Sequence, residues 1–522
     1  MKARVQQALR SISGYGTGYA RANQLGLRAL GVGYFAAFVS YLVQAQGLIG
    51  AKGVLPFAEW MQMIRPQVEA AGYRHVPTLL WVWPTDAGLH AALWAGVLFS
   101  VLLAAGIAPL LSAAALWALY LSVTVVGRVF WGFQWDNLLL EAGLLAILAS
   151  PWRWRMRWRA PDEPSRLAVI LFHWLVFRLM FLSGFVKLAS RDAAWWDLTA
   201  LTYHYWTQPL PIWTAWYANL LPVWAHKLCC LAMFGIELGL PFLIFLGGRA
   251  RAFAAAGFVG LMLLIAATGN YTFFNLLTAV LCLWLVRDER WAALRAFVAA
   301  RMPSAVAAHV GRGRGDVRPD VAAPSVGGYR ALVSRLWVWA PGLVIALLSL
   351  ALFLGALRLP VRWPSAVGRL ADAAAPFRSV NTYGLFAVMT TSRSEIVLEG
   401  TWDGQRWFEY EFRWKPGDIS LRPRLVAPHQ PRLDWQMWFA ALGTREGNPW
   451  LLNLMARLLH NEADALALLA FNPFEQKPPY QVRAVRYTYR FTTRAERAAM
   501  GTWWVREFKD LYCPPIQLIP AP

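Results

Sequence analysis

The chain has 522 residues, 58% of them hydrophobic and only 15% charged, with 30 tryptophans and a mean hydropathy of +0.38; this excludes an ordinary soluble protein and indicates a multi-pass membrane protein. A net charge of +21 and a pI near 10.3 do not indicate nucleic acid, because much of the excess lies in short segments flanking apolar runs, as cytoplasmic loops beside anionic lipid require. Four cysteines (Cys229, Cys230, Cys282, Cys513) form no CxxC and no ligand spacing, so no metal, no cofactor and no disulfide framework is expected.

In chain order, residues 1–26 carry Lys2, Arg4, Arg10 and Arg21 and no acid, and read as a cytoplasmic basic tail. Apolar runs follow at 27–48, 87–107, 108–127, 136–150, 166–187, 224–247, 250–268, 272–287 and 337–357. That gives about nine spans at the usual length of roughly 17 to 25 residues. Two of them, 136–150 and 272–287, are short and read as re-entrant or buried behind other helices. The helical bundle occupies 27–302 with spans 1–8, and 303–336, rich in Pro, Gly, Ala and alternating charge, is a cytoplasmic linker. The last transmembrane helix is 337–357.

Beyond it the pattern changes. Glu395–Gly400, the Asp403-Gly404 turn and Arg406–Phe412 read as a hairpin, Arg486–Phe491 alternates as a strand, and Trp450–Leu469 has helical spacing. Residues 376–522 are therefore an extracytoplasmic α+β domain rich in antiparallel β. The fold class is a polytopic α-helical membrane protein carrying that domain. Sidedness follows from arginine: Arg153, Arg155, Arg157 and Arg159, the Arg249/Arg251 turn and the 288–336 loop are inner, while 49–86 and 188–223 are balanced or faintly acidic and outer. The N-terminus is then cytoplasmic and the C-terminal domain periplasmic or lumenal.

A charge inside a span needs a partner, a wet cavity or a task. The membrane polar cluster is Asp136, Asn137, Glu141, Arg178, Lys187 and Glu237. Matching depths along the spans pairs Arg178 with Glu237, and Lys187 with Glu141 or Asp136. These pairs are either clamps between helices or the lining of a polar cavity. An outer-face motif joins them: Tyr203, His204 and Gln208 in an aromatic, Pro-containing loop, and Asn270 and Asn275 flanking a turn between span ends. No Gly-rich phosphate loop, HExxH or GxSxG occurs, so spacing gives catalysis no support.

Several stretches together resemble the lipase maturation factor family: Trp135–Gly143, Tyr203–Tyr205 with Thr207–Pro211, Gly269–Tyr271 with Phe273–Leu277, Val380–Phe386, Val397–Gly400, Lys415–Asp418 and Arg432–Ala441. More distantly the helical part is similar to the DoxX-like and vitamin K-dependent carboxylase-like membrane families. The resemblance implies a protein that in animal relatives resides in the endoplasmic reticulum membrane and helps secreted lipases fold, dimerise and leave. The Ala- and Arg-rich composition points to a bacterial member in an inner membrane. Its partners would be the lipid bilayer and a secreted or exported client, with Trp402, Trp407, Asp434, Trp435 and Trp438 as candidate client contacts. The alternative is a membrane enzyme or carrier acting on a lipid or quinone within the bundle.

Overall fold

The computed structural model describes residues 18–299 and 328–518. The basic tail up to residue 17 and the expected linker up to residue 327 lie outside the described residues. Ten bundle helices position the buried charges and the seat of the C-terminal domain: α1 (Ala20–Leu42), α2 (Asp86–Ala105), α3 (Pro109–Val126), α4 (Gln134–Ala149), α5 (Arg166–Ala189), α6 (Ala200–Thr207), α7 (Val223–Phe234), α8 (Gly248–Ala266), α9 (Phe274–Leu281) and α10 (Gly328–Ala356). Among the described residues, seven helices are long and apolar enough to cross a membrane: α1, α2, α3, α5, Val223–Phe245, α8 and Trp337–Ala356. The two short apolar runs are α4 and α9. At 16 residues α4 spans about 24 Å, short of a hydrocarbon core of about 30 Å. It is buried on nearly every face, so neighbouring helices and not lipid surround it.

Two boundaries differ from expectation. The first helix begins at Ala20, inside the expected tail, because the Asp288 carboxylate accepts the amides of Arg21 at 3.0 Å and Ala22 at 3.1 Å and caps its first turn. At the other limit, α10 begins at Gly328 and takes residues 328–336 from the linker. Small residues set the closest approach. A Cβ on Gly31 would meet the Ala104 backbone nitrogen at 2.6 Å, so α1 and α2 touch main chain to main chain. Beyond α7 the helix widens into a π turn at Gly235–Gly239 and tightens to a 3-10 turn at Leu240–Phe245, where Pro241 has no N–H to give.

The C-terminal domain is a four-stranded antiparallel sheet of β1 (Arg393–Thr401), β2 (Phe408–Glu409), β5 (Gln481–Phe491) and β6 (Trp504–Ile516), in the order β2-β1-β5-β6. The expected hairpin is present, with Glu399 opposite Glu409 across the Asp403-Gly404 turn. After Tyr410 the chain leaves this sheet, and β3 (Glu411–Phe412) pairs with β4 (Leu469–Phe471). Helix α11 (Arg432–Leu442) packs on β1, and α12 (Pro449–Leu459) packs against β5. The domain sits on the end of the bundle where α4 and α9 begin. The arginine-bearing turns gather at the opposite end, where Arg21 donates to the Trp158 carbonyl at 2.7 Å and Ile107 pairs with Arg155.

Candidate functional site

Three ion pairs lie buried near the end of the bundle that meets the C-terminal domain, and all six expected membrane charges and amides sit in or beside them. Asp136, in the first turn of α4, accepts a hydrogen bond from the Tyr120 hydroxyl at 2.5 Å and a two-pronged contact from Arg432 of α11, at 2.8 and 2.9 Å. The Arg432 guanidinium lies 3.6 Å over the Trp131 ring and donates to the Phe130 carbonyl at 2.7 Å. A planar cation held by a carboxylate, a carbonyl and a ring suits arginine and would not suit lysine. One to two turns deeper, Glu141 pairs with Arg178 and accepts the Tyr383 hydroxyl at 2.6 Å and the Asn381 amide at 3.1 Å. Arg178 in turn donates to the Asn381 carbonyl at 2.7 Å, and Asn137 offers its backbone carbonyl to the Asn381 side chain at 3.4 Å. The third pair is Lys187 with Glu237, at 2.6 Å, with Lys187 also donating to the Ser183 carbonyl at 3.0 Å.

The expected pairings are thus exchanged. Arg178 meets Glu141, not Glu237; Lys187 meets Glu237, not Glu141 or Asp136; and Asp136 is taken by Arg432. Two physical reasons account for this. Nine residues are two and a half helical turns, so Arg178 and Lys187 lie on opposite faces of α5, one toward α4 and the other toward α7. In addition, the last turns of α7 pack against Ala194, Trp195 and Ala200 through Cys230 and Phe234, which places Glu237 level with the end of α5.

The aromatic loop is a docking seat for the C-terminal domain. Arg393 of β1 is fully buried; it donates to the carbonyls of Trp206 at 2.9 Å, Gln208, and Pro209 at 2.8 Å, and to Glu395, which Lys415 also approaches at 3.0 Å. Trp438 donates its indole N–H to the Thr207 carbonyl at 3.0 Å. Asn270 does more than cap a turn: its oxygen accepts the amides of Val426 at 2.8 Å and Ala427 at 3.1 Å, and its nitrogen donates to the Arg424 carbonyl at 2.8 Å. Gln208 ties the loop to the Thr268 carbonyl at 2.9 Å. His204 lies 3.1 Å from the Tyr271 hydroxyl, and burial, with Lys187 beside it, pushes the ring down to about 4, so it is neutral. Tyr203 packs with Trp195 and Phe234, and Asn275 is buried in α9 without joining the network.

The candidate client contacts divide. Trp435 and Trp438 are buried, as is Asp434, which accepts the Trp414 and Lys415 amides at 2.9 Å each. Trp435 packs edge-on against Phe133 and Trp135 of the bundle and Trp438 reaches Thr207, while Asp434 turns to its own domain, so all three are interior groups and not a surface. Trp402 remains 41% exposed, and Trp407 lies under the Arg483 guanidinium at 3.9 Å. Arg393, Glu395 and Tyr120 were not anticipated as site residues, and Asn381, Tyr383, Lys415 and Arg432 only as members of the stretches that carry the resemblance. A signal existed for Arg432, a charge opening an apolar helix, but Arg393 reads as a surface strand residue.

Each carboxylate faces a cation, and among the described residues no group of three or more His, Cys, Asp or Glu is placed to hold a metal. Removing one member of a buried pair leaves an uncompensated charge, a loss of about 3–5 kcal/mol.

Residues 21–293 match the family described as the lipase maturation factor transmembrane domain, and residues 379–514 match the lipase maturation factor C-terminal domain. The chain is 38% identical to lipase maturation factor 2 of Homo sapiens over 95% of this chain and 82% of that protein. It is 37% identical to lipase maturation factor 2 of Gallus gallus over the same shares, 95% and 82%. To lipase maturation factor 1 of Bos taurus it is 36% identical over 94% of this chain and 88% of that protein. No solved structure matches.

Proposed function

The chain belongs to the lipase maturation factor family, and from that premise we propose that it is a membrane-bound maturation factor whose C-terminal domain receives a secreted or exported protein of the lipase class. The observation that carries this reading is the match to both family domains along nearly the whole chain, including each stretch that builds the interface between bundle and C-terminal domain. The domain would face the lumen or periplasm and the arginine-rich turns the cytoplasm, in keeping with their position at opposite ends of the bundle.

Docking by Arg393, Asn270, Trp438 and Arg432 consumes one side of the domain and leaves the hairpin side free. There Trp402, Phe408 and Tyr480 are 41%, 39% and 56% exposed, with Trp402 edge-on to Phe474 at 4.6 Å. Exposed rings rimmed by charge suit contact with a partly folded protein. The test is a photo-crosslinking amino acid at 402 or 408, with 435 as the buried control, in intact cells secreting a lipase. The lipase is expected on 402 and 408 and not on 435. Recovery of no exported protein from either position would sink the proposal.

A further inference from the structure

A cavity of about 230 Å³ opens beside the third ion pair. An apolar cavity of about 150 Å³ already admits benzene, so this is no packing defect. Its floor is Leu179 and Met180 of α5, and its back wall is Leu385 and Phe386 of the segment that docks the C-terminal domain. Its mouth lies between α7 and α8, at Cys229, Met233, Leu264 and Ile265, flanked by Leu228, Leu231 and Leu263, which are 57–65% exposed on the outside of the bundle. The opening is therefore lateral, onto the surface that the span assignment gives to lipid.

One wall is polar. Lys187 uses two of its three N–H donors, on Glu237 and the Ser183 carbonyl, and His204 and Tyr271 complete the wall. Glu237 cancels the lysine charge and His204 is neutral, so the wall carries no net charge and offers donors to an uncharged acceptor. A free carboxylate would meet Glu237 and lose its hydration in a dry site. We infer that the cavity holds one acyl chain of a membrane glycerolipid, entering between α7 and α8 with its ester carbonyl against Lys187. The bound chain would rest on Leu385 and Phe386 and so touch the joint between bundle and C-terminal domain.

The full-length protein in phosphatidylcholine nanodiscs, some of the lipid carrying a diazirine in its acyl chain, tests this by irradiation and peptide mapping. Adducts are expected on the peptides with Met233 and Met262–Ile265, at least fivefold above α2 and α10, whose outer surfaces expose Trp94, Leu98 and Leu343. Ile265→Trp at the mouth should lower them about tenfold with unchanged thermal unfolding; Met233→Trp carries the same test where Ile265→Trp fails to fold. Adducts spread evenly over α2, α8 and α10, or indifferent to both variants, would overturn the site. Stronger labelling of the same peptides by a diazirine fatty acid with a free carboxyl would overturn the uncharged head.

Discussion

Arg178 and Lys187 stand on one helix, each buried and each paired with one glutamate, yet their surroundings differ. Around the Arg178–Glu141 pair the C-terminal domain closes in: Arg178 donates to the Asn381 carbonyl, and Glu141 accepts the Asn381 amide and the Tyr383 hydroxyl. Around Lys187 the protein stops short and leaves a cavity. The lesson is that ion pairing alone does not say whether a membrane charge is a bolt or the rim of a site; what occupies the third side decides. Opposite faces of α5 carry the sealed pair and the open one.

This contrast can be broken by substitution. The largest effect is expected at the sealed side. Arg432→Leu strands Asp136, and Glu141→Gln strands Arg178, each at about 3–5 kcal/mol; both should cut the amount of folded protein recovered in mild detergent, with activity per folded molecule retained. Loss of activity at full abundance for Glu141→Gln would instead make that pair part of the working chemistry. At the open side, replacing Lys187 and Glu237 together by Met removes both charges at once, so stability should change by less than about 1 kcal/mol in thermal unfolding, while labelling by the ester probe falls. A large destabilisation by the double replacement would make the two sides equivalent.

A pH dependence sharpens the sealed side further. Burial raises Asp434 from 3.8 to about 6, outweighing the two amides and Lys415 that lower it. Its protonated form is thus favoured on folding: the gain is full below pH 3.8 and is lost as pH rises through 6, worth up to about 3 kcal/mol. His429, pushed down to about 4 by burial and by Arg432, acts in the opposite sense and favours the fold as pH rises from 4 to 6.5. Asp434→Asn should unmask that rise, seen as a melting temperature climbing between pH 4 and 6.5; a flat or falling profile would contradict the assignment.

Much of this architecture was legible in the sequence. Trp135–Glu141 announces a carboxylate inside an apolar helix, and the runs locate the long helices, except that α1 and α10 begin well before their runs and α6 lies in a segment that reads as loop. The hairpin is readable from Asp403-Gly404. Partners were not legible, because counting residues gives depth and not rotation: 178 and 187 differ by half a turn in facing, and the turns of α7 packed on Trp195 shift Glu237 along its helix. The partner of Arg432 was inaccessible for another reason, since its carboxylate lies 296 residues away in a different domain. Trp435 misled because an aromatic helix face looks the same whether it awaits a client or covers the chain's own bundle.

The distance between Asp136 and Arg432 has a consequence during translation. A ribosome adding about 5–20 residues per second releases the aspartate roughly 15 to 60 s before its arginine. Through that interval α4 holds an acid with only the Tyr120 hydroxyl to meet it, and Glu141 likewise lacks Tyr383 and Asn381. The nascent bundle therefore stays wet at one end until the last quarter of the polypeptide arrives to close it.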